Sequence, residues 1–195
     1  MQRQQLTASQ QKGSAQQQKG TAQRQLVIVS GAPGAGKTTL AVPLAAQLGF
    51  PLFCKDFIKE TLTDVLGNAG GDLAASRRLG AAAMELMWTL ARNAPCAVLE
   101  ANFRPYSNYE RRQLLSLAAT VVEVYCECGR EETQRRFSQR AASGQQHDAH
   151  PLAELTDAML AEYDRPVALG KVIRVDTRLP LALQPLVDEV RAALI

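Results

Sequence analysis

From residue 25 onward, short apolar runs alternate with segments in which apolar residues recur every three or four positions. The runs at 26–30, 51–54, 96–100, 121–126 and 172–176 predict strands. Leu26-Val27-Ile28-Val29 is apolar without a break, as a parallel strand buried on both faces must be. Helical spacing predicts helices at 37–48, 57–66, 72–93, 106–118, 130–142, 152–163 and 181–194. Strand and helix in repeated alternation predict an α/β fold, a parallel sheet with helices on both faces. Such sheets bind ligands beyond the carboxyl ends of their strands, so the residues after each strand carry the functional question.

Residues 1–24 break the pattern. They are rich in Gln, hold almost nothing to bury, and are expected to form a disordered tail ahead of one domain at 25–195. The net charge of +3 belongs to that tail: it holds four of the 22 basic residues and no acid, which leaves the rest of the chain at about −1. A near-neutral domain argues against nucleic acid as partner. No apolar run approaches the ~20 residues of a membrane span, so no membrane partner is expected. The polar start lacks a signal peptide's apolar stretch, and a cytoplasmic location is the expectation. Cys54, Cys96, Cys126 and Cys128 read as small buried thiols rather than as a disulfide framework or a zinc site.

Residues 31–38, Gly-Ala-Pro-Gly-Ala-Gly-Lys-Thr, fit G-x-x-x-x-G-K-[ST] between a strand and a helix. A glycine-rich turn running into a helix N-terminus gathers free backbone N–H groups and the positive end of the helix dipole at one point, which suits phosphate. Gly31, Ala32, Pro33, Gly34, Ala35, Gly36, Lys37, Thr38 and Thr39 are therefore the expected nucleotide-binding residues. Lys37 would reach the β- and γ-phosphates, and the Thr38 hydroxyl would ligate Mg²⁺, making ATP and Mg²⁺ the expected cofactors.

Asp56 follows the second strand and reads either as a helix cap or as a general base for an attacking hydroxyl. Lys59, one turn on, is an acceptor contact or a solvated lysine. Glu100 closes the third strand, where an acid commonly meets the magnesium shell; a salt bridge would satisfy it equally. Asn102 and Arg104 are expected to face the same cleft as substrate contacts. The arginine-rich helix at 130–142 and the polar loop to 151 read as a lid. Arg136 and Arg140, four apart on one helix face, would stabilise transition-state charge, or else pair with Glu131 and Glu132. His147 and His150 fall in that loop, with too few ligands nearby for a metal site. Asp176-Thr177 ends the fifth strand, near where a nucleotide base would lie.

In this order, Gly31–Thr38, Asp56-x-Ile58-Lys59, Glu100-Ala101-Asn102-Phe103, Arg136-Phe137-x-x-Arg140 and Val175-Asp176-Thr177 resemble the small phosphate-loop kinases of the predicted-kinase group within the P-loop NTPases. That group, with its AAA-like ATPase domain, is akin to polynucleotide kinase, chloramphenicol phosphotransferase and the zeta toxins. The resemblance covers about residues 25–195. It implies a three-layer α/β/α sandwich with five parallel strands in the order 2-3-1-4-5 and a helical lid at about 130–151. It also implies transfer of the ATP γ-phosphoryl group to a hydroxyl of a small-molecule acceptor, with Asp56 as base and Lys37, Arg136 and Arg140 neutralising charge. The family often carries Arg where Lys59 stands and Asp where Glu100 stands. A non-catalytic ATP-binding switch and a nucleic-acid end kinase are the alternatives. A GTPase reading of Asp64-Val65-Leu66-Gly67 fails, because that D-x-x-G lies inside a predicted helix and N-K-x-D is missing.

Overall fold

The computed structural model describes residues 23–67, 72–144 and 146–195. The expected tail falls on residues 1–22, outside the described residues, apart from its last two positions. Five strands, β1 (Arg24–Ser30), β2 (Leu52–Cys54), β3 (Cys96–Glu100), β4 (Ala119–Glu127) and β5 (Lys171–Asp176), form one sheet in the order β2-β3-β1-β4-β5. Every pairing is parallel. All five carboxyl ends therefore lie along one edge. β1 opens at Arg24, one residue inside the expected tail, and the Arg24 guanidinium donates to Leu117 O at 2.9 Å.

Strand alternation divides the core in two. Val27 and Val29 face one side, where α1 (Lys37–Leu48) and α7 (Leu183–Ala193) supply Leu40, Leu44, Val187 and Val190. Leu26 and Ile28 face the other, against Met87 and Trp88 of α3 (Leu73–Asn93) and Leu114 of α4 (Asn108–Ser116). The result is the expected three-layer sandwich.

Side-chain caps set the starts of α3 and α4. Asp72 accepts from Ala74 N and Ala75 N at the head of α3, and Ser107 accepts from Glu110 N at the head of α4. α2 (Lys55–Leu66) begins two residues before its apolar pattern, so Asp56 lies within its first turn and is not the cap. The helix expected at 152–163 shrinks to α6 (Asp157–Ala161). Thr156 caps it, and the residues ahead run outside any helix so that Leu155 reaches a small third core with Phe137 of α5 (Arg130–Ala142) and Leu160. This cluster sits beneath the lid. No helix among the described residues is long and apolar enough to cross a membrane.

One carboxylate is buried in mid-sheet. Glu123 on β4 accepts from Ser30 Oγ (2.5 Å), Val167 N (2.9 Å) and Ala168 N (2.8 Å). Two positions along, the Tyr125 hydroxyl donates to Tyr163 O at 2.8 Å. Together they pin the chain returning from the lid to the sheet, including Ala168 at φ +55°.

Candidate active site

The turn after β1 is shaped by contacts that exclude side chains. Gly31 has φ +132°, and a Cβ there would lie 2.3 Å from Cys126 O. Gly36, at φ +81°, precedes α1 in the left-handed region and abuts Thr177. Lys37 is buried and donates to Ala32 O at 2.9 Å. Phosphate-binding geometry thus follows from backbone that only glycine can supply.

Thr38, at the head of α1, donates through Oγ1 to Glu100 Oε2 at 3.1 Å. Glu100 is 1% exposed at the end of β3, and no Lys or Arg pairs with it among the described residues. A buried carboxylate without a cationic partner is costly unless a cation arrives. An adjacent hydroxyl and carboxylate form an oxygen donor set, which suits Mg²⁺, so these residues fit the expected metal.

Asp56, from the next strand end, pairs with Lys55 Nζ at 2.9 Å. Burial opposes its ionisation, but Lys55, His150 and Lys37 prevail and hold its carboxyl at about 2. Lys59 is not a solvated lysine. It is 5% exposed and donates to Ser76 Oγ (2.8 Å) and Ala149 O (2.6 Å). Burial, and next the neighbouring Lys55, lower it to about 8. Gly80 of α3 lies against both lysines: a Cβ there would make ordinary contact with their Cε atoms, at 3.8 and 3.9 Å.

The polar loop expected at 141–151 is docked on α2. His147 Nδ1 accepts from Ala149 N, which leaves Nε2 to donate to Asp64, 3.1 Å away. His150 Nε2 lies 3.1 Å from Glu60, one helical turn back. Burial, foremost, lowers the His150 pKa. Asp64, the first residue of the D-x-x-G text, is thus a lid contact on a helix. No group of three or more metal-ligating side chains occurs among the described residues.

Beyond β3, the Arg104 backbone N–H and Nε both donate to buried Glu110, at 2.7 and 2.8 Å. Asn102 Oδ1 is buried with no hydrogen-bond donor among the described residues. On the lid, Arg136 bonds Glu132 (2.6 Å), Thr177 Oγ1 (3.1 Å) and Thr177 O (3.2 Å). It lines a hollow of about 180 Å³ with Gly36, Thr39, Leu40, Leu179 and Leu181. Arg140 is exposed, lies 5.5 Å over the Phe137 ring, and lines neither this hollow nor the cleft beside it. That cleft, about 380 Å³, is walled by Ala32, Cys126, Arg130, Tyr163 and Arg178 among others. Arg130 belongs to the arginine-rich helix already read as a lid, whereas Tyr163 and Arg178 are not among the expected site residues. Arg130 directly follows the glycine after β4, a position that could have flagged it. Tyr163 gave no local signal.

Cys54, Cys126 and Cys128 are buried, free thiols as expected, whereas free Cys96 is only half-buried; burial pushes Cys126 up to about 12.

A family model described as an AAA domain (AAA_33) matches residues 26–166. Among solved structures, a candidate kinase from Chloroflexus aurantiacus j-10-fl is 28% identical, with a TM-score of 0.75 over 89% of this chain and 100% of its own. A sugar kinase from Janibacter sp. HTCC2649 is 20% identical, with a TM-score of 0.55 over 88% of this chain and 94% of its own. The APS kinase of Mycobacterium tuberculosis, solved with AMPPNP and APS, is also 20% identical, with a TM-score of 0.52 over 88% and 98%. The last two show a shared fold. No curated protein matches the chain.

Proposed function

Because the chain belongs to the AAA_33 family of AAA domains and has a P-loop kinase-like fold, we propose that it transfers the γ-phosphoryl group of ATP to a hydroxyl of a small-molecule acceptor. The observation that carries this reading is the convergence of three strand ends. The phosphate loop after β1, ionised Asp56 after β2 and buried Glu100 on β3 meet at one edge, with Thr38 3.1 Å from Glu100.

In this reading the loop amides of 31–38 and Lys37 hold the donor phosphates. Thr38 and Glu100 would hold Mg²⁺, which when bound offsets charge on the phosphate oxygens. Asp56 accepts the acceptor's hydroxyl proton and aims its oxygen at phosphorus; a carboxylate held at about 2 is fully ionised for that hydrogen bond at neutral pH. Lys55, 2.9 Å from Asp56, stabilises the ionised carboxylate. Asn102 Oδ1, a buried acceptor in need of a donor, suits a second hydroxyl of the acceptor. Lys59 and Arg104 flank the acceptor side, Arg136 and Arg140 belong to the lid that covers the phosphates, and Thr39 borders the hollow beside Arg136.

The test is a screen of two pools, small hydroxyl-bearing metabolites and hydroxyl-ended oligonucleotides, with γ-labelled ATP. Label is expected in a small molecule. Label only on oligonucleotide ends would overturn the acceptor class, and tight ATP binding with no transfer to any pool would overturn the kinase reading.

A further inference from the structure

We propose that Cys54 is the positioning residue for the metal-binding carboxylate of Glu100; this rests on the kinase reading of the same site. Two independent observations place it there. The register of β2 on β3 sets Cys54 directly opposite Glu100, so their side chains share one face of the sheet. On that face the Cys54 thiol donates to Glu100 Oε2, the same oxygen that accepts from Thr38.

The arrangement answers a problem set by the longer acid. A Glu at a strand end has one more rotatable bond than an Asp, so its carboxylate needs an external hold to meet a metal in a fixed orientation. An arginine or lysine would supply that hold but would cancel the charge the metal needs. A thiol is a weak, neutral donor. It orients Oε2 and leaves the negative charge for the cation. Cys54 is itself 2% exposed, packed at the end of the edge strand, so it cannot swing away.

The experiment measures Mn²⁺, standing in for Mg²⁺, bound to the full chain with AMPPNP, by the EPR signal of free Mn²⁺. It needs no acceptor and no turnover. Cys54→Val keeps an apolar side chain there and removes the donor, and is expected to weaken Mn²⁺ binding about tenfold, the low end for losing a group that orients a metal ligand. Cys54→Ser restores a donor and is expected to stay within about twofold of the native chain. Metal-free AMPPNP binding should be unchanged in both. Equal Mn²⁺ affinity in the native chain and Cys54→Val would overturn the proposal, as would equal losses in the Val and Ser variants, which would mean packing alone. Should Cys54→Val fail to give a cooperative melt, Cys54→Ala replaces it with the same expectation. A native chain that binds no Mn²⁺–AMPPNP at all would instead remove the kinase reading on which the proposal rests.

Discussion

Gly31 carries the tightest steric requirement in the site. A methyl there would sit 2.3 Å from Cys126 O, on backbone at φ +132° that L-residues avoid. Gly31→Ala is expected to cost about 3 kcal/mol, read as a shift in the urea midpoint at unchanged slope. Lys59 makes a different demand. Its pKa is about 8 when folded against an ordinary 10.5, so between those values the unfolded chain binds more protons. Its contribution therefore rises with pH across that window and is lowest below about 8, where both states carry the charge. Urea titrations from pH 7.5 to 10.5 should show a shallower rise for Lys59→Met than for the native chain, a difference on the order of 2 kcal/mol across the window. The phosphate loop was legible because its chemistry admits few residue types at fixed spacing. The partners of Lys59 were not: Ser76 and Ala149 lie 17 and 90 positions away, and nothing local announces them.

At the scale of elements, the lid behaves as a small body with its own core. Phe137, Leu155 and Leu160 pack beneath it, apart from the two large clusters, and polar contacts from Lys59, Glu60 and Asp64 hold its loop. Such a unit opens on its own when its apolar contacts are cut. Phe137→Ala should therefore speed tryptic cleavage after Arg135, Arg136 and Arg140 by about tenfold, with a smaller change in the global melt. Mass spectrometry of timed digests checks this; cleavage unchanged from the native chain would mean that Phe137 does not hold the lid. Strands and long helices were readable from their patterns because burial on two faces or one stripe imposes a period. α6 was not, since apolar Leu152 and Leu155 mimic helical spacing while serving the lid core from non-helical chain.

For the whole molecule, strand order is a non-local property that no periodicity encodes; only the family resemblance carried the order 2-3-1-4-5, which the sheet adopts. That order brings β1, β2 and β3 side by side and sets the phosphate loop, Asp56 and Glu100 at one edge. A ligand gripped there stabilises the folded state as a unit. AMPPNP with Mg²⁺ at a hundred times its dissociation constant should add about 2.7 kcal/mol, or about 5–10 °C in Tm. Lys37→Ala should abolish most of that rise. Asp56 is proposed to drive phosphoryl transfer from a donor held by the phosphate loop, a role read out by single-turnover transfer of γ-label to the acceptor found by the screen. Asp56→Asn is expected to slow transfer by about 10²–10⁴-fold while AMPPNP affinity stays within about threefold of the native chain; transfer by Asp56→Asn at the native rate would mean that Asp56 is not the base.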